Sequence, residues 1–356
     1  MSFTSLKDVI FDPNYLAYKF NFNSECVEFL PISSELLRGH SFLRADALRL
    51  NAGSSMVSVP LSSLVELVEV EAQQLRMRPP RFIFHTAFCG STFLSRCLED
   101  EEATISLREP QLLLDAANAK RLNWNSNTTS LNHTHLPKLA LILLQKHATD
   151  AKRLIIKPVN SINNIIPELL IETGPTKSLV LYTDARNFLL STMNKGEAGR
   201  QTIRAMFDLI RCDFPHLAHL GLSDVIHMSD LKIIMTLWRL QIEQIEQVLA
   251  IQEALSQIKS LYAEDLIENP STVVLKANQY LDTGVSEESL QALFASDLFS
   301  TDAKQPNKGF SLEQRNEEYS AIEAFFGEDI QKGFQWLVKN NPNVSLQPIL
   351  TNTLEI

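Results

Sequence analysis

Residues 81–99, Arg-Phe-Ile-Phe-His-Thr-Ala-Phe-Cys-Gly-Ser-Thr-Phe-Leu-Ser-Arg-Cys-Leu-Glu, constrain the fold more than any other stretch. Pro79-Pro80 precede a short apolar run, Phe82-Ile83-Phe84, and small residues follow it. A run of that length, apolar at every position, predicts a strand buried on both faces of a parallel sheet. The turn Ala87-Phe88-Cys89-Gly90 comes next, with Ser91-Thr92 at the entry to a helix. Phe93, Leu94, Cys97 and Leu98 then fall on a helical period. A strand, a small-residue loop and a helix start can cradle an anion, because free backbone N–H groups converge there. Gly90 permits close backbone approach, and Ser91 and Thr92 add hydroxyl donors. A plain strand-to-helix junction has the same outline.

Four further segments end in the same way. Residues 103–110 read as a strand ending on Arg108-Glu109, with Pro110 suited to a helix start. Leu154-Ile155-Ile156 is a buried strand with Lys157-Pro158 at its carboxyl end. Residues 178–195 give a strand, a sharp turn at Thr183-Asp184 and a helix. Residues 258–270 give a last strand and a turn ending at Asn269-Pro270. Strands near 82–85, 104–107, 153–156, 179–182 and 259–262, alternating with helices, predict a three-layer α/β/α fold on a mainly five-stranded parallel sheet. Ligands bind such sheets at the carboxyl ends of the strands. Arg108, Glu109 and Lys157 are therefore candidate site residues. Each also has a structural reading, as a helix-start carboxylate or a lysine reaching from the sheet edge to water.

Ahead of this core, residues 1–78 form a β-rich extension and a helix, with partial alternation over 15–22, 26–30 and 56–60. The core domain runs 79–342, and 343–356 form a C-terminal tail. The polar stretch 120–135 is expected to be a mobile loop. A formal charge of −10 argues against a broad nucleic-acid surface. No apolar run is long enough to span a membrane. The four cysteines show no CxxC pair, which suits reduced thiols in the cytoplasm. His133 and His135 have no further ligand at metal-binding spacing.

The loop is not a Walker A loop, which needs Gly-Lys before its Ser/Thr. It resembles instead the sulfotransferase pattern P-[KR]-[ST]-G-[ST]-T. Gly90, Ser91 and Thr92 match, Ala87 stands in place of the Pro, and Phe88 replaces the basic residue. Residues 183–191 resemble the same superfamily's R-[DN]-P-[RK]-[DE]-x-x-x-S motif. Asp184, Arg186 and Ser191 fall in register, while Thr183, Ala185 and Asn187 depart from it. Tyr262, Asp265, Leu266, Asn269 and Pro270 follow a late structural signature, and Asn307-Lys308-Gly309 echoes a basic C-terminal loop.

The resemblance implies a P-loop-like transferase fold and sulfuryl transfer from 3′-phosphoadenosine 5′-phosphosulfate (PAPS) to a hydroxyl or amine of a small-molecule, carbohydrate or peptide acceptor, without a metal. Cys89, Gly90, Ser91 and Thr92 would hold the 5′ end of the donor. Thr183, Arg186 and Ser191 would hold its 3′-phosphate, with Lys308 closing the pocket. Glu109 would be the base, and Lys157 or Arg108 would neutralise the sulfuryl oxygens. A small-molecule kinase, or a non-catalytic nucleotide- or partner-binding protein on the same fold, remains open at this level.

Overall fold

The computed structural model describes residues 6–43, 56–72, 78–148, 152–174, 176–251, 257–303 and 305–356. Side chains at 66, 69–72, 302 and 305–308 lie outside the description, as does the helical position expected at Leu75. The chain opens with α1 (Leu6–Phe11), β1 (Tyr15–Asn21), β2 (Cys26–Pro31), α2 (Ser34–Gly39), β3 (Val57–Pro60) and α3 (Leu61–Ala72). The core follows with β4 (Arg81–His85), α4 (Ser91–Cys97), β5 (Thr104–Arg108), α5 (Gln111–Arg121), α6 (Leu136–Gln145), β6 (Arg153–Lys157) and α7 (Ile166–Thr173). Then come β7 (Ser178–Tyr182), α8 (Ala185–Met193), α9 (Gly196–Ile210), α10 (Pro215–Ala218), α11 (Leu222–His227) and α12 (Asp230–Ala250). The last elements are β8 (Ile258–Tyr262), α13 (Ala263–Glu268), α14 (Pro270–Leu281), α15 (Glu287–Phe294), β9 (Thr301–Asp302), β10 (Gln305–Gly309) and α16 (Leu312–Asn340).

Five strands make a parallel sheet in the order β5-β6-β4-β7-β8, flanked by helices, as the alternating pattern predicts. Thr104 to Arg108 pair in register with Arg153 to Lys157, and Arg81 and Phe82 with Ile155 and Ile156. Phe82, Ile83 and Phe84 are fully buried, and every residue of β7 is buried. Burial on both faces is the physical reason for the uninterrupted apolar runs. The chain enters at the central strand β4, runs outward to β5, returns through β6 and crosses to β7. The loop after β4 therefore lies where the strand order reverses, the place such sheets use for ligands.

By their contacts the residues group into two compact units. The first comprises 1–83, 95–178 and 278–289. Its N-terminal part is the antiparallel sheet β1-β2-β3. A 3₁₀ turn, Asn160–Ile165, precedes α7. Pro167 lies in the first turn of α7 and lacks the N–H that would continue an α-helix from the turn. The polar stretch expected to be mobile is tethered. The Glu25 carboxylate accepts from the Thr128 hydroxyl, the Asn127 N–H at 2.6 Å and the Ser126 hydroxyl at 2.8 Å. Those contacts, the Thr128 hydroxyl first, hold its pKa down to about 2.

Asp115 on α5 accepts the Phe20 N–H at 2.9 Å and a Gln111 amide proton at 2.7 Å. Burial outweighs these contacts and pushes its pKa up to about 6. The folded state thus holds a proton on Asp115 between the ordinary carboxyl value of ~4 and about 6. This contribution to stability is present at low pH and is lost as pH rises through that window. Asp115→Asn removes the titration. The melting temperature of the variant minus that of the parent should therefore climb between pH 4.5 and 6.5 and stay level above. A difference independent of pH, measured by thermal unfolding in matched buffers, contradicts the assignment.

The second unit comprises 84–94, 179–277 and 290–356. Its core helix is α12, whose Ile234, Leu237, Trp238, Ile242, Ile245, Val248 and Leu249 are buried along one stripe. The C-terminal tail is built in. Ser260 on β8 donates to the Asn352 carbonyl at 3.0 Å and accepts from the Leu354 N–H at 2.8 Å. Those bonds use backbone groups on a strand that ends the sheet.

Candidate functional site

In the second unit the chain leaves β4 through an unusual backbone. Ala87, Phe88 and Gly90 have φ of 69°, 51° and 73°, the left-handed region. Only Gly90 adopts it without steric cost, so the other two must be held there. His85 does part of this, because its Nδ1 accepts the Ala87 N–H at 3.0 Å and so carries no proton in that contact. The Thr86 N–H donates to the Leu181 carbonyl of β7 at 3.0 Å. Phe88 packs edge-on against Phe188 of α8, with ring centroids 5.3 Å apart. A Cβ on Gly90 would lie 3.1 Å from the Leu266 side chain, so the loop also fits tightly against α13.

Three threonine hydroxyls of this unit, on Thr86, Thr92 and Thr183, are buried without a hydrogen-bond partner among the described residues. Thr86 and Thr183 follow the neighbouring strands β4 and β7, and Thr92 stands in the first turn of α4. Buried hydroxyls are ordinarily satisfied, and each one left unmade costs about 1–3 kcal/mol. Cys89 and Ser91, between them in the loop, are buried as well. Trp238 is fully buried and donates its indole N–H to the Thr183 carbonyl at 2.9 Å, fixing the end of β7.

The helix after β7 is capped by Asp184. Its carboxylate accepts the Asn187 N–H at 2.7 Å, the Asn187 amide at 2.6 Å and the Tyr262 hydroxyl. Burial and the Asp184 charge push the Tyr262 phenol up. Tyr262 of the late signature thus braces the α8 cap. Arg186 makes a two-pronged ion pair with Glu323 of α16, both contacts at 2.6 Å. The hydrogen bond to Glu323 raises its pKa. Ser191 shares a 2.5 Å hydrogen bond with the Tyr319 hydroxyl, and Arg315 pairs with Glu264 at 2.7 and 2.8 Å. The α16 helix therefore already engages Arg186 and Ser191. Lys308 lies on β10, with its side chain outside the described residues.

The first unit holds the other candidates. Glu109 and Lys157 form an ion pair at 2.5 Å, with side chains 4% and 1% exposed. The Glu109 N–H also donates to the Lys157 carbonyl at 2.6 Å, and Glu109 has a φ of 55°. The strand-end carboxylate and lysine singled out in the sequence are thus joined. Arg108 goes elsewhere. Its guanidinium is 1% exposed and donates to Glu99 at 2.7 Å and to the carbonyls of Arg38, His40 and Leu37 at 2.6, 3.0 and 3.3 Å. The expectation that Arg108 faces a ligand gives way to a fastening between β5 and the C-terminal end of α2.

Sequence reasoning passed over Tyr319, Glu323 and His85. His85 had a local signal, a ring at the last position of a strand before a small-residue turn. The residues of α16 had none, being more than 120 positions from their partners. Among the described residues no three His, Cys, Asp or Glu side chains come together as a metal site would require. No described helix is long and apolar enough to cross a membrane.

No family model and no curated protein matches the chain. Among solved structures it is similar to sulfotransferase STF9 from Mycobacterium avium, at 11% identity over 74% of this chain and 81% of that one, with a TM-score of 0.40. It is also similar to the sulfotransferase domain from the curacin biosynthetic pathway, at 15% identity over 71% and 99%, with a TM-score of 0.44. A sulfotransferase from Alicyclobacillus acidocaldarius matches at 13% identity over 67% and 99%, with a TM-score of 0.37.

Proposed function

We propose that the protein is a transferase that moves a sulfuryl group from PAPS to a hydroxyl or amine of its acceptor. The observation that carries this reading is the 86–92 loop. Two non-glycine residues are held left-handed beside Gly90, and the buried hydroxyls of Thr86, Thr92 and Thr183 lack partners among the described residues. An anion offered several N–H and O–H donors at once would repay both costs. In this reading Cys89, Gly90, Ser91 and Thr92 bind the 5′ end of the donor. Thr183, Arg186 and Ser191 bind the 3′-phosphate, with Lys308 beside it. The acceptor oxygen or nitrogen attacks sulfur, the sulfur–oxygen bond to the phosphate breaks, and 3′-phosphoadenosine 5′-phosphate departs with the bonding electrons. Glu109 takes the acceptor's proton, and Lys157, 2.5 Å away, orients that carboxylate. Arg108 has a positioning role in β5. Charge in such a transition state is diffuse, so fixed donors and positioning supply most of the acceleration.

One observation favours a second reading, a nucleotide-binding protein without transfer activity. Arg186 carries the Glu323 carboxylate, so a 3′-phosphate has to displace an ion pair already made. Calorimetric titration with 3′-phosphoadenosine 5′-phosphate, with ATP and Mg²⁺ run in parallel, tests the donor site, and an assay for sulfuryl transfer from PAPS then separates the two readings. We expect micromolar binding of the bisphosphate, weakened about tenfold or more by Ser191→Ala through loss of a hydroxyl contact to a charged group. Binding of ATP alone moves the assignment to a kinase-like protein. No binding of either nucleotide overturns the reading.

A further inference from the structure

We propose that α16 works as a strap over the nucleotide site of α8, with Glu323 holding the Arg186 guanidinium against a competing phosphate. The inference rests on the reading of Arg186 and Ser191 as ligands of the 3′-phosphate. Three side chains of α16 meet three of α8. The Glu323 carboxylate accepts two contacts of 2.6 Å from Arg186, Tyr319 shares a 2.5 Å hydrogen bond with Ser191, and Glu318 accepts the Asn194 amide at 2.5 Å. The pairs run in opposite directions along the chain, so the two helices lie antiparallel here. At about 100° per residue, Glu318, Tyr319 and Glu323 share one face of α16, and Arg186, Ser191 and Asn194 share one face of α8. A carboxylate on a two-pronged guanidinium uses the same recognition that a phosphate would use.

The strap is fastened at both ends. Before the contacts, Arg315 pairs with Glu264 of α13 at 2.7 and 2.8 Å, and those side chains are only 11% and 16% exposed. After them, Ile330, Gly333 and Leu337 are buried, and a Cβ on Gly333 would meet the Leu231 side chain of α12 at 2.8 Å. Among the described residues 316–329 only Tyr319 is buried, so polar pairs hold the middle of the strap. Arg186 and Glu323 are 46% and 35% exposed, and water and salt weaken a pair in that setting. A phosphate brings several charged oxygens, and with the Ser191 hydroxyl as a further donor it can exchange with the single carboxylate. The exchange also takes the Tyr319 hydroxyl off Ser191, which couples the middle of the strap to the nucleotide site. Because linked equilibria are reciprocal, whatever lifts the strap raises the affinity of the site.

The test is titration of the full chain with 3′-phosphoadenosine 5′-phosphate at low and high salt, for wild type, Glu323→Gln and Glu328→Gln. Glu328 is 92% exposed on the same helix and pairs with Lys332, so its variant controls for the loss of a negative charge. We expect Glu323→Gln to bind about three- to tenfold tighter than wild type at low salt, with the gap narrowing at high salt. Glu328→Gln should stay within about twofold of wild type, the span left to a screened, exposed charge. Hydrogen exchange with and without the bisphosphate gives a second readout. Amides of residues 316–327 should exchange faster in the complex, while those of 330–340 should not change. Glu323→Gln binding no tighter than wild type overturns the inference and leaves the donor-site reading intact. So do strap amides that are unchanged or better protected in the complex, which would make α16 a fixed wall of the site. No binding of the bisphosphate by wild type or by Glu323→Gln overturns that reading and the inference with it.

Discussion

Lys157→Met should lower the free energy of unfolding by about 3–5 kcal/mol, a large part of the 5–15 kcal/mol typical of a folded protein. The reason is the state of what remains. Lys157 and Glu109 are 1% and 4% exposed and 2.5 Å apart, so removing the ammonium strands a carboxylate where water cannot solvate it. Glu109→Gln strands the ammonium instead and should cost a similar amount. The pair itself contributes far less than either figure, because desolvating two ions offsets most of their attraction. The double replacement Lys157→Met/Glu109→Gln should therefore be clearly more stable than the sum of the singles predicts. Urea unfolding of all four proteins closes the cycle. Additive losses, or single losses below about 1 kcal/mol, would mean that the two side chains do not meet in a buried site. If Glu109 is also the base, assays under conditions where Glu109→Gln stays folded should show kcat falling with little change in donor affinity.

How much of this could be read beforehand follows from the range over which each interaction acts. The parallel strands were legible because burial on both faces demands apolar residues at every position, as in Leu179-Val180-Leu181-Tyr182. The α12 stripe has an equally local cause, apolar residues three or four positions apart. The 3₁₀ turn at 160–165 was not, because the apolar spacing of Ile162 and Ile165 fits either helix type. Glu109 and Lys157 were picked out by lying at strand ends, and β5 and β6 pair in register there. The direction of Arg108 was hidden, since its acceptors are mainly backbone carbonyls, which every sequence has. Arg186 and Ser191 were in register with a motif, yet their partners on α16 come from far along the chain. Nothing near residue 186 signals that Glu323 will occupy its guanidinium.

Two helical glycines, Gly199 of α9 and Gly327 of α16, should respond to alanine in opposite directions. Gly327→Ala should raise stability by about 0.5–1 kcal/mol, because nothing lies within 4 Å of the added Cβ and alanine restricts the unfolded chain. Gly199→Ala has the same propensity gain and should nevertheless lower stability by about 1–3 kcal/mol or more. Its Cβ would stand 2.2 Å from the Thr192 carbonyl oxygen, a backbone atom that can move only if α8 and α9 part. That oxygen accepts the Lys195 N–H, so the displacement passes to the corner that ends α8, the helix that carries Ser191. Thermal unfolding and bisphosphate titration of the same two variants therefore belong together. Gly327→Ala should bind as wild type does, whereas Gly199→Ala should lose both stability and affinity at temperatures where it remains folded. A Gly199→Ala protein with unchanged affinity would mean that the corner between α8 and α9 does not set where Ser191 stands. A stabilised one would mean that the two helices are not packed as closely as the 2.2 Å contact requires.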